Sequence, residues 1–341
     1  MSSRKKTIAI LRGGKDDYSR SLKNGANIIL SLSRYGDLVE VTDVILDNEN
    51  NWFEKGIPSN PHKVFSKADF YLDLTSNVDE DYHELAKKLD VEPVFRDNHV
   101  STPNRVNIKR ILNQLNVSVP KYILIRDKES LRAGLTEAWN RFQVPIVVKE
   151  ATHEFNEKSL ITYSFLEAFE KARNILVRGK EVILEEHIAG KYVSVAAIPD
   201  YRGESLYIPT PAEIINTESF SKTFSDKIVQ NRYLPDHVCD KRCLLHIDES
   251  LKNEIRNLTE NIYRTFALDR HALIDLAISE IKPKGERGQK PIYTIKVLDI
   301  HTSPSLFEDS RFDFILKNSG VDIGRFIIDK MNKLEEEKMI Y

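Results

Sequence analysis

Two strand-forming runs near the end of the chain constrain the fold most, because the sequence pairs them with each other. Residues 271–279 and Ile292–His301 are rich in β-branched and other apolar residues. A charged segment that contains Gly285 and Gly288 separates them. Two such runs joined by a short, glycine-containing segment predict an antiparallel hairpin.

That hairpin would bring two carboxylates together. If the turn is centred between the two glycines, Asp275 falls opposite Asp299 to within about one residue, and His301 shares a face with Asp299 because strand side chains alternate. Burying an unpaired carboxylate in apolar strands is costly, so a compensating partner is expected. Mg²⁺ suits this role because it takes one or two protein carboxylates and completes its shell with phosphate and water. The alternative is that one carboxylate points to solvent from a half-exposed sheet.

The first hundred residues alternate between strand and helix patterns. An apolar run at residues 7–11 leads into Gly13-Gly14, and an amphipathic helix follows with apolar residues at Leu22, Ala26, Ile29 and Leu30. Further strands are predicted at 39–45 and 68–74, and helices near 82–89 and 105–115. This order indicates a small α/β layer with a parallel sheet.

The middle of the chain has a different order of elements. Strands are predicted at 122–125, 145–149, 160–163, 181–186 and 192–198, with helices at 128–142 and 165–175, which indicates a mixed α+β unit. A polar stretch then precedes a long amphipathic helix that spans 251–266, with Asp248 as its N-cap. We therefore predict an N-terminal α/β domain at 1–102, a central subdomain at 103–198 and a C-terminal subdomain at 199–341.

Composition excludes several classes of protein. The chain carries 50 Lys and Arg against 52 Asp and Glu, so its net charge of -2 offers no global field for nucleic acid or an anionic membrane. No segment approaches the roughly 20 apolar residues that span a bilayer, and the first apolar run is too short for a signal peptide. Cys239 and Cys243 are too few for a disulfide framework. With His237 and His246 they form a spacing that matches no zinc site. We expect a cytoplasmic protein.

Four motifs in order resemble the D-alanine:D-alanine ligase family of ATP-grasp enzymes. The first is Gly13-Gly14 and the helix after it, and the second is Pro145-x-Val-Val-Lys149. The third is Leu184-Glu-Glu-x-Ile-x-Gly-x-x-x-Ser-Val195, and the fourth is the pair Asp275 and Asp299-x-His-Thr-x-Pro304. The resemblance covers nearly the whole chain. It implies an ATP-grasp fold with an N-terminal α/β domain, a central lid-like subdomain and a C-terminal catalytic subdomain.

The resemblance also implies an activity and its cofactors. ATP with Mg²⁺, or Mn²⁺, would activate a carboxylate as an acyl phosphate for attack by an amine, as in peptidoglycan biosynthesis. The substrate would be an amino acid or a small peptide-like acid, with D-alanine as the default. Members of the family are often dimers, so a homodimer is compatible with it, although the sequence itself is silent on oligomeric state.

Site residues follow from the same resemblance, position by position. The cations placed at the ATP phosphates are Lys149, Lys227 and Arg105, the last in place of a lysine. The residues placed at the adenine, on a strand whose edge is left free, are Glu185, Glu186 and Ile188. Metal-ligand positions, which the family fills with Asp, Glu and Asn, fall on Asp275, Asp299 and His301. The resemblance implies three residues on the substrate side. Asp17 would bind the ammonium of the first substrate, the amide of Ser305 would lie in the oxyanion hole, and Ser310 would lie near the substrate carboxylate.

Each of these residue types also has a purely structural interpretation. A lysine at a strand end is commonly solvated, a histidine in a strand commonly packs, and Ser310 is also suited to cap a helix.

Several positions depart from the family pattern. Segment 150–158 lacks glycine and is acidic where the family has a glycine-rich loop over the phosphates. Tyr192 stands where the family has a glutamate that binds ribose. Leu273 replaces the arginine that stabilises the oxyanion, and neither Arg270 nor Arg311 matches that motif.

These departures leave two alternatives open. One is a ligase for a different amino-acid or peptide substrate, and the other is a protein that binds nucleotide or a partner without catalysis. A cation donor from elsewhere in the chain, close to Leu273 and Ser305, would favour a ligase.

Overall fold

The computed structural model describes residues 4–15, 18–75, 81–95, 104–152, 159–215, 233–234, 241–281, 292–306, 308 and 310–340. The chain forms two compact units: unit 1 is Met1–Asp97 with Pro304–Tyr341, and unit 2 is Asn98–Ser303. The predictions for Asp17 and Lys227, and those for His237 and Cys239 of the cysteine–histidine cluster, fall on residues outside the described ranges. The division at residues 102 and 198 stays a prediction. Within the described ranges, no helix has the length and apolarity needed to cross a membrane.

Unit 1 contains one six-stranded sheet in the order β4-β3-β2-β1-β5-β6. Its first elements are β1 (Lys6–Gly13), α1 (Tyr18–Ser33), β2 (Val39–Leu46), β3 (Trp52–Glu54), β4 (Ile57–Ser59), α2 (Pro61–Phe65), β5 (Phe70–Asp73), α3 (Asp81–Lys88) and β6 (Glu92–Pro93). Strands β2, β1, β5 and β6 are parallel, as predicted. Two antiparallel strands that were not predicted, β3 and β4, extend this parallel sheet. They are joined at Lys55 and Gly56, which both have positive φ and so form the primed type of turn that suits a two-residue hairpin.

The end of the chain holds helix α1 in place within unit 1. In chain order the last two helices of the molecule are α8 (Arg311–Asn318) and α9 (Ile323–Ile340). The amide of Gly324 donates to the Ser31 hydroxyl at 2.9 Å, and that hydroxyl donates to Asp322 at 3.1 Å. Asp322 also accepts from the Tyr35 hydroxyl at 2.7 Å. A β-carbon on Gly324 would lie 2.8 Å from the backbone of Ser31, so the close approach of α9 and α1 requires glycine.

We predict that Gly324→Ala destabilises the protein by about 1–3 kcal/mol, because the new methyl group overpacks a backbone contact that cannot yield freely. Urea denaturation measures the change. Gly36→Ala is the matched control: its β-carbon would meet only one carbonyl oxygen, at an ordinary 3.5 Å. Equal stability of the two variants would contradict the proposed close approach.

The described residues of unit 2 form two sheets. The first has the order β14-β9-β8-β10-β7 and the second the order β15-β13-β11-β16-β17, with β12 paired to β11. The elements up to β10 are α4 (Arg105–Gln114), β7 (Tyr122–Ile125), α5 (Lys128–Arg141), β8 (Ile146–Glu150), β9 (Ser159–Thr162), α6 (Phe165–Val177) and β10 (Val182–Glu186). The remaining elements are β11 (Lys191–Tyr201), β12 (Glu204–Tyr207), β13 (Ala212–Ile215), β14 (Tyr233–Leu234), β15 (Lys241–Leu244), α7 (Glu249–Thr265), β16 (Ala272–Ile281) and β17 (Ile292–His301). Asp248 caps α7 as predicted, accepting from the amide of Leu251.

The predicted hairpin is confirmed, and so is its register. Asp275 is the direct cross-strand partner of Asp299, and Leu273 is the partner of His301. A register shift follows Asp275, where Leu276 pairs with Val297 and leaves Leu298 as the extra residue of a bulge.

The predicted free edge beside Glu185 is wrong. Strand β10 is an inner strand, paired to β8 on one side and to β7 on the other, and Glu185 takes part in both pairings. The edge position belongs to β7.

Candidate functional site

Three charged side chains meet in the interior of unit 2. The Lys109 ammonium on α4 lies 2.9 Å from one carboxylate oxygen of Glu185, and the Lys149 ammonium on β8 lies 3.0 Å from the other. Lys109, Lys149 and Glu185 are 2%, 5% and 1% exposed. With two cations and one anion, this buried triad carries a net charge of one positive unit.

The electrostatics of the triad keep its carboxylate ionised. Burial by itself would raise the pKa of Glu185, but the charges of Lys109 and Lys149 outweigh burial and lower that pKa. Burial lowers the pKa of Lys109, with the charge of Lys149 acting in the same direction and Glu185 opposing both. Burying this excess positive charge therefore costs free energy, and an anionic ligand would lower that cost.

Arg105 links the hairpin to the end of β8. It is the first residue of α4, which begins after the N-cap Asn104. Its Nε donates to Asp299 Oδ2 at 2.9 Å, and one terminal nitrogen donates to the Glu150 carbonyl at 2.9 Å and to the Thr152 carbonyl at 3.3 Å. Arg105 and Asp299 are only 3% and 7% exposed. In this structure the guanidinium is thus engaged by the chain itself.

Lys109 was not predicted as a site residue. Its signal was the spacing of four residues from Arg105, which places both cations on the same face of α4. From that face, Arg105 pairs with Asp299 and Lys109 pairs with Glu185.

A second set of polar contacts surrounds Asp275 of the hairpin. The Ser194 hydroxyl on β11 donates to Asp275 Oδ1 at 2.7 Å, and His301 Nε2 lies 2.9 Å from Asp275 Oδ2. The side chains of Asp275 and Asp299 are 15% and 8% exposed. Neither carboxylate therefore points freely to solvent, which excludes the alternative of a half-exposed sheet.

The donor chemistry of this region fits a hard cation in part. Asp275 and Asp299 supply the one or two carboxylates through which Mg²⁺ commonly binds beside phosphate oxygens. The imidazole of His301 is a ligand type that suits transition metals better, and its Nε2 is directed at Asp275. Among the described residues, no group of three histidine, cysteine or acidic side chains is arranged to hold a metal ion. The assignment of all three residues as metal ligands stays a prediction.

The segment predicted at the adenine is held by neighbouring polar groups. Glu186 accepts from the Lys121 amide at 3.0 Å and from Lys296 Nζ at 2.5 Å. The Tyr192 hydroxyl donates to the Ile188 carbonyl at 2.8 Å and lies 2.9 Å from His187 Nε2. Burial raises the pKa of Tyr192 to about 12, so its hydroxyl stays protonated near neutral pH. Tyr192 therefore tethers residues 187 and 188.

The two serines predicted on the substrate side lie in unit 1. Ser310 is 1% exposed and is the N-cap of α8, where it accepts from the amide of Asp313 at 3.1 Å. The helix-cap interpretation of Ser310 is confirmed, and its role near a substrate stays a prediction. Ser305 is 7% exposed, and its hydroxyl accepts a hydrogen bond from the guanidinium of Arg20 on α1.

Comparison with protein families gives a match over most of unit 2 and much of the chain's end. The family model described as the D-ala D-ala ligase C-terminus matches residues 111–331. The chain is 23% identical over 230 residues to the D-alanine--D-alanine ligase of Francisella philomiragia subsp. philomiragia. That alignment covers 67% of this chain and 66% of the relative, so the chain spans about two thirds of the length of this relative.

Comparison with solved structures covers nearly the whole chain. D-alanyl-alanine synthetase A from Vibrio cholerae matches with a TM-score of 0.69 at 16% identity, over 98% of both chains. The VanG D-Ala:D-Ser ligase from Enterococcus faecalis matches with a TM-score of 0.65 at 15% identity, over 96% of this chain and 99% of the other. D-alanine--D-alanine ligase from Bacillus anthracis, solved in complex with ATP, matches with a TM-score of 0.63 at 15% identity, over 98% and 99%. These likenesses confirm the predicted mixed α/β, ATP-grasp fold.

Proposed function

Because this chain belongs to the D-alanine:D-alanine ligase family, we propose that it is an ATP- and Mg²⁺-dependent ligase that joins a carboxylate to an amine. The observation that carries the proposal is the buried triad of Lys109, Lys149 and Glu185, whose excess positive charge suits the phosphates of ATP. D-alanine is the first substrate to test, because the relatives are named for it. Joining D-alanine would place the protein in peptidoglycan biosynthesis.

The proposed reaction has two steps. A carboxylate oxygen of the first substrate attacks the γ-phosphorus of ATP, the bond from that phosphorus to the β,γ-bridging oxygen breaks, and ADP leaves behind an acyl phosphate. The nitrogen of the amine then attacks the acyl carbon and forms a tetrahedral intermediate. Collapse of that intermediate breaks the bond between carbon and the phosphate oxygen, releases inorganic phosphate and passes the amine's proton to solvent.

The charges of unit 2 are suited to the first step. Lys149 and Lys109 would neutralise phosphate oxygens, with Glu185 holding both ammonium groups in position. Asp275 and Asp299 would hold Mg²⁺, which when bound would supply positive charge that neutralises the charge of the phosphates. The engagement of Arg105 with Asp299 indicates that this guanidinium orients the carboxylate as well as adding charge.

The remaining residues keep the roles that the family resemblance implies, and these are part of the proposal. Lys227 would reach the γ-phosphate. Glu186 and Ile188 would contact the nucleotide base. Asp17 and Ser310 would bind the first substrate.

We predict that Asp299→Asn removes the dependence of ATP binding on Mg²⁺, because a neutral amide is a poor ligand for a hard cation. Isothermal titration calorimetry with ATP, with and without Mg²⁺, should show at least about a tenfold difference in affinity for the wild type and little for the variant. Asp329→Asn is the control, since that carboxylate pairs with Arg325 on α9 in unit 1. If Mg²⁺ changes ATP affinity equally in the wild type and in Asp299→Asn, the proposed role of Asp299 as a metal ligand is contradicted.

One observation favours a second candidate, a protein that binds nucleotide without ligating. Leu273 is 2% exposed and replaces the family's oxyanion arginine, and its direct partner on β17 is His301. The hairpin therefore supplies no arginine at that position. ATP binding without release of phosphate in the presence of amino acids would support this candidate over the ligase.

A further inference from the structure

A lysine of the hairpin contacts the end of strand β10. The ammonium of Lys296 on β17 lies 2.5 Å from a carboxylate oxygen of Glu186, and the two side chains are 21% and 19% exposed. The strands belong to different sheets of unit 2, β10 to the first and β17 to the second. This ion pair therefore joins the two sheets of the unit.

The bulge in the hairpin determines which face carries Lys296. Lys296 and Asp299 are three positions apart, so in a regular strand their side chains would lie on opposite faces. The extra residue of the bulge changes this relation, because Lys296 lies opposite Ala277. Asp299 lies opposite Asp275, which is two residues from Ala277 on β16. Lys296 and Asp299 therefore share one face of the hairpin.

The same hairpin holds the backbone that follows β10. The Ser279 hydroxyl on β16 donates to the carbonyl of Ala189 at 2.6 Å. A β-carbon on Gly190 would lie only 2.3 Å from the carbonyl oxygen of Ile278, so the backbone at that glycine lies directly against β16. With the ion pair of β17, residues 186–190 are thus attached to the hairpin at three points.

The charge of Glu186 is balanced within this contact. Burial by itself would raise the pKa of Glu186, but the hydrogen bond from the Lys121 amide and the interaction with Lys296 outweigh burial and lower that pKa. The carboxylate is therefore ionised near neutral pH. A nucleotide is itself an anion, so an unpaired carboxylate next to it would weaken its binding.

We propose that Lys296 is a positioning residue for the nucleotide, because it pairs with Glu186 and so holds residues 186–190 against the hairpin. The inference rests on the proposed function, in which Glu186 and Ile188 contact the base and Asp299 holds Mg²⁺. One hairpin then sets the distance between the segment that binds the base and the carboxylate that binds the metal ion. Lys296 also cancels the charge of Glu186, which would otherwise repel the phosphates.

The test measures nucleotide affinity in Lys296→Met, in Glu186→Gln and in the double variant. Isothermal titration calorimetry with ATP and with ADP, each with and without Mg²⁺, gives the affinities. Lys296→Met should weaken the binding of both nucleotides by about three- to tenfold, because a partly buried carboxylate is left unpaired beside an anionic ligand. The loss should be the same with and without Mg²⁺, since Lys296 is assigned to the base end of the nucleotide.

The double variant should bind ATP more tightly than Lys296→Met, because glutamine leaves no carboxylate to repel the phosphates. This recovery separates positioning from a purely structural role, since a second substitution does not restore lost packing. Lys171→Met is the matched control. It removes a lysine of unit 2 that is 14% exposed and pairs with Glu167 on the same helix, α6, and its ATP affinity should equal that of the wild type.

The outcomes separate this inference from the function on which it rests. A wild-type protein that binds no ATP would overturn the proposed function itself. If the wild type binds ATP and Lys296→Met binds it as tightly as Lys171→Met, the role of Lys296 alone is overturned. A loss confined to titrations with Mg²⁺, or a double variant no tighter than Lys296→Met, would overturn it as well. If Lys296→Met fails to fold, Lys296→Gln decides in its place: affinity equal to that of the wild type contradicts the inference, and reduced affinity for both nucleotides supports it.

Discussion

Replacing Glu185 by glutamine is expected to destabilise the protein by about 3–5 kcal/mol, the usual cost of removing one partner from a buried ion pair. Within the buried triad, Glu185 is in contact with both Lys109 and Lys149. Without its charge, two ammonium groups would lie close together in the interior. Each would raise the free-energy cost of burying the other in its charged form. The protein would respond by losing stability or by releasing a proton from one lysine.

The free energy of unfolding from urea titration tests this expectation. Glu186→Gln is the matched control, because it removes the next carboxylate on the same strand. Glu186 pairs with Lys296 at a site where both side chains are about one fifth exposed, so its loss should cost about 1 kcal/mol or less. Equal losses of stability in the two variants would contradict the expectation that the buried triad depends on the charge of Glu185.

Lys149→Met should weaken ATP binding by about ten- to a hundredfold, because a charge-assisted contact to phosphate is worth roughly 1.5–3 kcal/mol. The same substitution should change stability far less than Glu185→Gln. It removes the excess charge of the triad and leaves Lys109 and Glu185 as a balanced pair, and methionine replaces the aliphatic part of the side chain. Lys149→Met should thus mainly affect ATP binding, whereas Glu185→Gln should mainly affect stability, although both residues belong to one contact network.

Calorimetry of ATP binding and urea denaturation of the same preparations measure the two effects. Lys191→Met is the control, since it removes a half-exposed lysine of unit 2 that pairs with Glu213. ATP affinity that is unchanged in Lys149→Met would contradict the assignment of the triad to the phosphates. A large loss of stability in that variant would show instead that Lys149 acts mainly in the fold.

The hairpin was predictable because local rules determine it. Strand alternation and the position of the glycines set which residues face each other, and Asp275 does pair with Asp299. The same rules predicted the bounds of β7 and β17 without error and placed Arg105 at the start of α4.

Contacts between distant segments were beyond these rules. Glu185 was predicted on a free edge, but the edge status of a strand depends on whether another segment pairs with it, and β7 lies some 60 residues earlier. The second cation at Glu185 was equally hidden, because Lys109 looks like any lysine on a helix until α4 is packed against the sheet. The contact of Arg20 with Ser305 joins the two ends of the chain, and no pattern of spacing predicts it.

Phosphate release tests the central claim most directly. Wild-type protein is incubated with ATP and Mg²⁺ and a panel of D- and L-amino acids, singly and in pairs, and the products are identified by mass. The ligase account predicts release of one phosphate for each amide formed, with D-alanine as the first substrate expected to react. Nucleotide that neither binds nor is hydrolysed with any acid in the panel would contradict the account.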